Sequence, residues 1–337
     1  MDKKTIIPKW HPNHPPIYDI SKSYMENAEF GPFFSGLLFQ RPPIKTHIDF
    51  FGFRLNSPVG VPVGPLLNSN WVFLASKLGF DILTYNTVRA TSFYGHPLPN
   101  VSFVDRKNED NFVLREMANN DLKHLTIAHS FGFPCRSPDF VMQDIERAQK
   151  SLAAGQILIV SAMFDEACQA AYLAKSAGAK IIEVDLSQQE GSEMQRITKR
   201  LVETIKPIPL IIKIGKGLHS GQLREILVAI SQGGASGICG LSPIATSIVN
   251  AKNKSETAYL SGAGIQKEAL QFVKTVKEIL HKEKLDLTLL GCGGIMEPSD
   301  IDLFLQAGAA AALSATGMTW DPYLAMRYHQ QKAFHAS

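Results

Sequence analysis

The chain has 337 residues, of which 45% are hydrophobic, and its formal net charge at pH 7 is +3. This length allows a substantial core, and the near balance of charge excludes the clustered basic patch of a typical nucleic-acid-binding protein. No window approaches the roughly 20 apolar residues that span a bilayer, and residues 1–16 lack the apolar stretch of a signal peptide. The four scattered cysteines (Cys135, Cys168, Cys239, Cys292) have no metal-ligand spacing. We therefore expect a cytoplasmic protein without a disulfide framework, metal site, integral membrane segment or nucleic-acid partner.

Residues 1–47 show no alternation of strands and helices, and we interpret them as an N-terminal extension to a single domain at 48–337. Within the extension, residues 30–39 read FGPFFSGLLF, a short apolar run interrupted by glycines. Short solitary apolar runs usually pack against a core, which is the favoured interpretation here. Contact with a membrane surface or a partner is the alternative.

Eight apolar, β-rich runs follow, and segments with helical periodicity lie between them. The predicted strands are 58–64, 80–86, 157–163, 180–187, 209–215, 236–241, 287–293 and 311–316. The predicted helices are 68–78, 165–177, 193–205, 220–232, 266–281 and 299–307. Parallel strands that are covered on both faces read as nearly continuous apolar runs, as ILIVSAM and LIIKIG do. Eight such units predict an α/β fold, a closed (β/α)8 TIM barrel.

A long interruption, residues 89–138, follows the second predicted strand. It is too long for an ordinary βα loop, and it contains the strand-like pieces VSFV and HLTIAHS. Loops of this length in a compact domain are usually functional. Because it follows a barrel strand, we expect this insertion to cap the C-terminal face, where the active sites of barrels are found.

Glycine-containing turns follow the last two predicted strands, GCGG at 291–294 and ATG at 315–317. Glycine lets backbone N–H groups approach a phosphate closely, and a following helix N-terminus adds partial positive charge. Barrels frequently bind phosphate at the loops after strands seven and eight, so the turns predict a phosphate site. Two tight turns without a ligand are the alternative.

Charged residues interrupt two of the apolar strands. Lys213 lies within LIIKIG, where an unpaired ammonium would be costly. It is either a functional cation facing an anionic ligand, the favoured interpretation, or the partner of an acidic neighbour such as Asp185. Glu183 and Asp185 lie on one alternation face and predict a buried polar cluster. His129, in an apolar stretch, is equally consistent with an acid–base role and a structural one.

Several motifs together resemble the dihydroorotate dehydrogenase family. FFGFRLNSPVGVPVGPLLNS and KLGFDILTYNTVRA resemble the opening of that family, and HSFGFP, IIEVDLS, LIIKIG, YLSGAGI, LGCGGI and SATG continue the match in family order. The resemblance extends from about Ile48 to the C-terminus. It implies an FMN-binding (β/α)8 barrel that oxidises dihydroorotate, a small-molecule substrate, to orotate, with hydride transfer to the flavin. Because family members often form dimers, it also implies a homodimer.

The resemblance assigns cofactor contacts to particular positions. Val63 and Gly64 are expected beside the isoalloxazine ring, and Thr87 is expected at the flavin. Lys213 is expected near the N1–C2 carbonyl edge, where it would stabilise the reduced form. The residues expected to surround the ribityl phosphate are Gly262, Gly293, Gly294, Ala315, Thr316 and Gly317.

The substrate pocket departs from the family pattern. Asn86 stands where the family has a lysine that contacts flavin and substrate. Asparagines that bind the substrate are replaced at four positions, namely His129, Asp185, Glu190 and Cys239.

The position of the catalytic base departs as well, since Gln188 stands where the family has cysteine or serine. Glutamine cannot act as a general base near neutral pH, so the carried-over catalytic positions Lys213, Gln188 and Ser187 do not include a conventional base. Ser187, Glu190 and His129 are the candidates for a displaced one.

The leading hypothesis is thus a dihydroorotate dehydrogenase-like FMN oxidoreductase that acts on dihydroorotate or a related small substrate. A catalytically altered barrel with a binding or regulatory role is one alternative. A flavin-free, phosphate-binding barrel is another.

Overall fold

The computed structural model describes residues 6–10, 16–44, 46–106, 112–165, 167–215, 219–249 and 255–335. Its strands are β1 Ile48–Phe50, β2 Phe53–Leu55, β3 Val59–Val61, β4 Ile82–Val88, β5 Val101–Arg106, β6 Phe112–Arg115, β7 Thr126–His129, β8 Ile157–Ala162, β9 Ile181–Asp185, β10 Leu210–Lys213, β11 Gly237–Gly240, β12 Ile244–Val249, β13 Ser255–Gly262, β14 Thr288–Cys292 and β15 Ala311–Leu313. Its α-helices are α1 Tyr24–Phe30, α2 Ser69–Lys77, α3 Pro138–Lys150, α4 Gln169–Ser176, α5 Met194–Ile205, α6 Ser220–Gln232, α7 Gln266–Glu283, α8 Pro298–Gln306, α9 Thr316–Trp320 and α10 Leu324–His335. Short 3-10 turns lie at Leu122–His124, Gly191–Glu193 and Ala263–Ile265.

Eight parallel strands close into a barrel in the order β3, β4, β8, β9, β10, β11, β14, β15. Seven of them lie within predicted runs, and β4 overlaps the predicted run 80–86 but continues two residues further, to Val88. The predicted (β/α)8 barrel is therefore confirmed. The strands are buried on both faces, and every residue of β8 is buried. Alternate side chains such as Ile82, Ile159 and Ile211 fill the barrel interior, while their neighbours pack under the surrounding helices in the main core.

An antiparallel hairpin, β1–β2, precedes the first barrel strand. Its Phe50 and Leu55 are nearly fully buried among the interior side chains, so the hairpin closes the N-terminal end of the barrel. The functional face is therefore the opposite, C-terminal end.

The six predicted helices are present, with ends that shift by up to four residues. Local capping explains several boundaries: the Asn68 side chain accepts hydrogen bonds from the Asn70 and Trp71 N–H groups, which fixes the start of α2. The sequence interpretation missed α3, although Ser137 caps it and Pro138 occupies its first turn, a typical helix start. It also missed α1 and α10.

A five-stranded antiparallel sheet, in the order β12-β13-β7-β5-β6, lies outside the barrel. Strands β5, β6 and β7 come from the insertion after β4. Strands β5 and β7 agree with the two strand-like pieces predicted there, whereas β6 was not predicted. Strands β12 and β13 form a second excursion, after β11, that the sequence interpretation missed. Both excursions leave the carboxyl ends of barrel strands, so the sheet belongs to the C-terminal face. We call it the cap sheet.

The N-terminal segment packs against the barrel. Trp10 and Tyr24 are buried in the main core, and the Trp10 N–H donates to Asp321 Oδ1 at 3.2 Å. Only some side chains of the apolar run 30–39 pack against the protein. Phe34 and Phe39 contact the Tyr323 ring. Phe33 is half-buried. Three other apolar side chains of this run are exposed, namely Phe30 (64%), Leu37 (73%) and Leu38 (55%). The packing interpretation therefore holds for only part of the run. In the described part of the chain, none of the helices has the length and apolar character needed to cross a membrane.

Candidate functional site

Lys213 ends barrel strand β10, and its side chain points into the barrel. Its Nζ lies 3.8 Å from Glu183 Oε1, and the two side chains are 3% and 0% exposed. This separation allows an ion pair but not a hydrogen bond. Burial acts to lower the pKa of Lys213, but Glu183 and the neighbouring Cys292, Cys239 and Asp185 raise it well above its ordinary value. The ammonium is therefore a fixed positive charge. The acidic neighbour at ion-pair distance is Glu183. The alternative interpretation of the sequence had given Asp185 as an example of such a neighbour.

Glu183 lies at the centre of a polar cluster in the barrel interior. Among the described residues its carboxylate oxygens have no hydrogen-bond partner beyond a weak contact with the Cys239 thiol. Burial raises the pKa of Glu183, and Lys213 opposes that rise. Thr84 Oγ1, on β4, is likewise buried without a partner in this part of the chain. Unsatisfied buried polar groups are costly, and their concentration beneath the mouth is typical of a functional site.

Asp185 ends barrel strand β9 and is half-buried. Its Oδ1 accepts hydrogen bonds from the Ser187 N–H at 2.8 Å and from Ser187 Oγ. Its Oδ2 accepts a hydrogen bond from Ser242 Oγ at 2.9 Å. Ser242 follows strand β11, so this arrangement joins the ends of two barrel strands. The sequence interpretation missed Ser242, and its position directly after a predicted strand was the available signal.

Gln188 and Glu190 follow Ser187 in the loop after β9, and both are exposed. This loop therefore places the Gln188 amide, and the Glu190 carboxylate two residues further on, at the solvent-exposed surface. Neither side chain reaches into the barrel interior as Lys213 and Glu183 do.

His129 lies on cap-sheet strand β7, paired in register with Tyr259 and Val101. Its ring stacks on Phe131, with centroids 5.1 Å apart. Burial lowers the pKa of His129 to about 4, so the imidazole is neutral at pH 7. The structure therefore gives His129 an aromatic environment without a charged partner among the described residues.

Asn86 and Thr87 lie near the end of β4, and both are buried. Asn86 Nδ2 donates to the Pro134 carbonyl at 2.8 Å, which ties the strand to the end of the insertion. Thr87 Oγ1 lies 3.3 Å from Ser161 Oγ on the neighbouring strand β8. These contacts hold the two side chains in place within the protein.

Cys239 lies inside the barrel and is completely buried, below the level of the loops. Its Sγ is 3.8 Å from the Sγ of Cys292, which donates to the Leu241 carbonyl at 3.2 Å. Both cysteines are free, as expected. The predicted substrate position at Cys239 is thus a residue of the interior core.

The predicted phosphate-binding residues lie in three neighbouring loops on the C-terminal face. Gly262 precedes the turn into α7, Gly293 and Gly294 follow β14, and residues 315–317 form the start of α9 after β15. A side chain at Gly294 would collide with Gln266, since a Cβ there would lie 2.5 Å from Gln266 Cα. Ser314 Oγ donates to the Ile295 carbonyl at 2.7 Å and joins two of the loops.

Val63 and Gly64 follow the first barrel strand, β3. Gly64 has φ +126°, and a Cβ placed there would meet no atom within 4 Å. The backbone at this position therefore borders open space, on the same face as Lys213 and the glycine loops. A flat ligand has room to approach the main chain here.

A comparison with family models matches residues 126–331 to the family described as dihydroorotate dehydrogenase. A dihydroorotate dehydrogenase of Dictyostelium discoideum is 36% identical over 94% of this chain and 98% of its own length. A mitochondrial dihydroorotate dehydrogenase (quinone) of Lachancea kluyveri is 23% identical over 81% of this chain and 68% of its own. A dihydroorotate dehydrogenase A (fumarate) of Limosilactobacillus reuteri is 27% identical over 44% and 51% of the two chains.

Among solved structures, the fold is similar to that of Eimeria tenella DHODH, whose crystal structure is a complex with ferulenol. The superposition has a TM-score of 0.72 and covers 92% of this chain and 88% of the other. At 17% sequence identity this likeness supports the barrel fold alone.

Proposed function

This chain belongs to the dihydroorotate dehydrogenase family, and from that premise we propose that it binds FMN and oxidises dihydroorotate, or a closely related small substrate, to the corresponding unsaturated product. The observation that carries the proposal is the buried Lys213 ammonium. It faces the open end of the barrel and has only a distant carboxylate partner among the described residues. A cation kept in this position fits a ligand that gains negative charge.

The residues present fit FMN. The open space at Gly64 accommodates a flat ring, and the Lys213 ammonium lies on the same face. Glycines allow the three loops to pack closely against neighbouring main-chain and side-chain atoms, as Gly294 does against Gln266. Backbone N–H groups in such loops suit a terminal phosphate. When bound, FMN supplies the hydride acceptor that amino-acid side chains cannot provide.

We assign the cofactor contacts as follows. Val63, Gly64 and Thr87 would flank the ring, and Lys213 would stabilise the charge that the ring gains on reduction. The residues that would hold the phosphate are Gly262, Gly293, Gly294, Ala315, Thr316 and Gly317. Each of these residues lies at or near the carboxyl end of a barrel strand or in the excursion that follows one.

The substrate contacts are assigned to Asn86, His129, Asp185, Glu190 and Cys239. Of these, Asp185 is best placed to touch a small substrate, since it is half-buried at the end of its strand. Asn86 is already hydrogen-bonded to the insertion, and Cys239 lies within the interior. Their contributions are therefore to the shape of the pocket more than to its hydrogen bonding.

Orotate formation tests this function directly. Full-length protein loaded with FMN is incubated with dihydroorotate and an artificial electron acceptor, and orotate is measured by its ultraviolet absorbance. We expect orotate to accumulate in proportion to the flavin-loaded enzyme. Protein that binds FMN but forms no orotate would contradict the assigned substrate, and protein that takes up no FMN would contradict the proposal as a whole.

A further inference from the structure

We propose that Ser187 and Asp185 together form the catalytic base: Ser187 Oγ removes the substrate proton, and the Ser187 proton passes to Asp185 Oδ1. This inference rests on the proposed function, because it assigns the proton-transfer step of that reaction. It deepens the function by naming the group that replaces the base absent at Gln188.

The Ser187 hydroxyl is directed toward the Asp185 carboxylate. A serine hydroxyl carries one proton, and here that proton is donated to Asp185 Oδ1. The oxygen lone pairs are therefore free to accept a proton from another direction. Asp185 is held in turn by the Ser187 N–H and by Ser242 Oγ, so the carboxylate cannot rotate away. A hydroxyl bonded to an oriented carboxylate is the arrangement that lets a weak base accept a proton.

Ser187 follows a barrel strand that ends at the same face as the strand carrying Lys213. Asp185 and Lys213 are register partners at the ends of adjacent strands β9 and β10. Ser187 follows two residues later, half-buried, with its Cβ 3.1 Å from the position of a Cβ on Gly215. Ser187 Oγ is 3.8 Å from the same Cβ position, so the hydroxyl lies beside the backbone that follows β10, the strand that Lys213 ends. The hydroxyl and Lys213 therefore belong to the ends of adjacent strands on the C-terminal face.

The other candidates for the base are less suited to accept the substrate proton. Gln188 carries an amide that cannot take up a proton near neutral pH. Glu190 is exposed to solvent, where a carboxylate is a weak base without orientation. His129 is stacked on Phe131 in the cap sheet, and burial holds its pKa at about 4.

Protons and electrons balance in the proposed oxidation of dihydroorotate. The C5–H bond of dihydroorotate breaks, and its proton goes to Ser187 Oγ while the Ser187 proton moves to Asp185. The electron pair of that bond would form the C5=C6 double bond of orotate, and the C6 hydrogen would leave as hydride. Bound FMN would supply the two-electron acceptor for that hydride. Asp185 would later return its proton to solvent.

The test uses FMN-loaded, full-length Ser187→Ala and Asp185→Asn in anaerobic mixing with dihydroorotate. We expect flavin reduction to slow by about 100- to 10 000-fold in Ser187→Ala, the usual contribution of a general base. In Ser187→Ala, reduction by dithionite should be unchanged, and orotate should still perturb the flavin spectrum, since this variant keeps every residue assigned to substrate contact. Deuterium at C5 of the substrate should slow Ser187→Ala more than the parent, because proton removal becomes rate-limiting. If Ser187 had only a structural role, its replacement would leave this isotope effect unchanged.

Two further variants make the result specific. Ser187→Cys, which keeps an acidic hydrogen-bond donor, should recover part of the rate. Ser57→Ala is the matched control, since Ser57 also donates to an aspartate, Asp81, but at the N-terminal end of the barrel. It should reduce flavin at the parental rate.

The outcomes separate the two proposals. A parent protein whose flavin is not reduced by dihydroorotate overturns the proposed function and this assignment with it. A parent that is reduced, with Ser187→Ala and Asp185→Asn within about twofold of its rate, leaves the function standing and overturns the base. Selective loss in His129→Asn or Glu190→Gln, with Ser187→Ala unaffected, overturns it as well. If Asp185→Asn does not fold, the Ser187→Ala and Ser187→Cys pair decides the question alone.

Discussion

Burial and the neighbouring charges have opposite effects on the pKa of Lys213. Burial favours a neutral amine, but the Glu183 carboxylate and the other polar groups nearby favour the ammonium, and the pKa of Lys213 is raised. A buried ion pair costs desolvation, and it is tolerated where the charge serves a purpose. Here that purpose is a permanent cation at the open end of the barrel.

Removing this cation should affect both stability and flavin binding. In Lys213→Met, Glu183 is left buried without a counter-charge, so we expect the free energy of unfolding to fall by about 3–5 kcal/mol. FMN affinity should fall too, because the ring loses its positive neighbour. Urea denaturation and flavin fluorescence titration measure the two effects.

The double variant Lys213→Met/Glu183→Gln is the control for the charge on Glu183. It should regain part of the stability but none of the FMN affinity. A single variant with parental stability and parental FMN affinity would show that Lys213 has no electrostatic role.

At the scale of elements, helix α10 illustrates how a segment without a strong sequence signal is attached. Its His329 is buried, and its ring Nε2 donates to the Gly79 carbonyl at 2.7 Å, since a carbonyl can only accept. Burial, with a smaller contribution from Arg41, lowers the pKa of His329 to about 4. The helix therefore packs best with a neutral imidazole.

This pKa shift makes the stability of the fold dependent on pH. Below about pH 6.5 the unfolded chain binds a proton at His329 and the folded chain does not, so folding is penalised as the pH falls toward 4. We expect His329→Gln, which keeps an N–H donor, to lose less stability in this range, by about 1.4 kcal/mol per pH unit. Urea denaturation of both proteins at pH 6.5, 5.5 and 4.5 tests this, and parallel pH curves would contradict it.

The N-terminal segment is attached by a different contact, a bidentate ion pair. Arg41 Nη1 and Nη2 lie 2.6 and 2.7 Å from the two carboxylate oxygens of Asp81, whose side chain is completely buried. Arg41→Ala leaves that carboxylate unpaired and should lower the free energy of unfolding by about 3–5 kcal/mol.

The exposed pair Arg224–Glu283 is the control for this variant. Its Arg224 Nε lies 2.7 Å from Glu283 Oε1, yet the arginine side chain is 52% exposed. Arg224→Ala should cost clearly less stability than Arg41→Ala, because solvent screens the pair. Equal losses in the two variants, measured by urea denaturation, would show that Arg41 does not anchor the segment.

At the scale of the whole molecule, the barrel was predictable and the cap sheet was not. Strands such as 157–162 are continuous apolar runs, and their alternation with helices is a local signal. The cap sheet depends on pairing between β7 and β13, where His129 meets Tyr259 across a large sequence separation. No local pattern specifies that pairing.

The same distinction applies to the site. Lys213 was predictable because a charge inside an apolar strand is conspicuous in the sequence. The link from Asp185 to Ser242 was not, because it forms only when the ends of β9 and β11 lie at the same face. The expectation that Gln188 stands at the position of a base came from the sequence resemblance, whereas the proposed choice of Ser187 depends on a hydrogen bond that only the structure gives.

The most direct test of the central claim is anaerobic mixing of FMN-loaded protein with dihydroorotate, followed by the visible absorbance of the flavin. We expect the flavin absorbance to bleach at a catalytic rate, with one orotate formed for each flavin reduced. A flavin that stays oxidised with dihydroorotate, although dithionite still bleaches it, would contradict dihydroorotate oxidation.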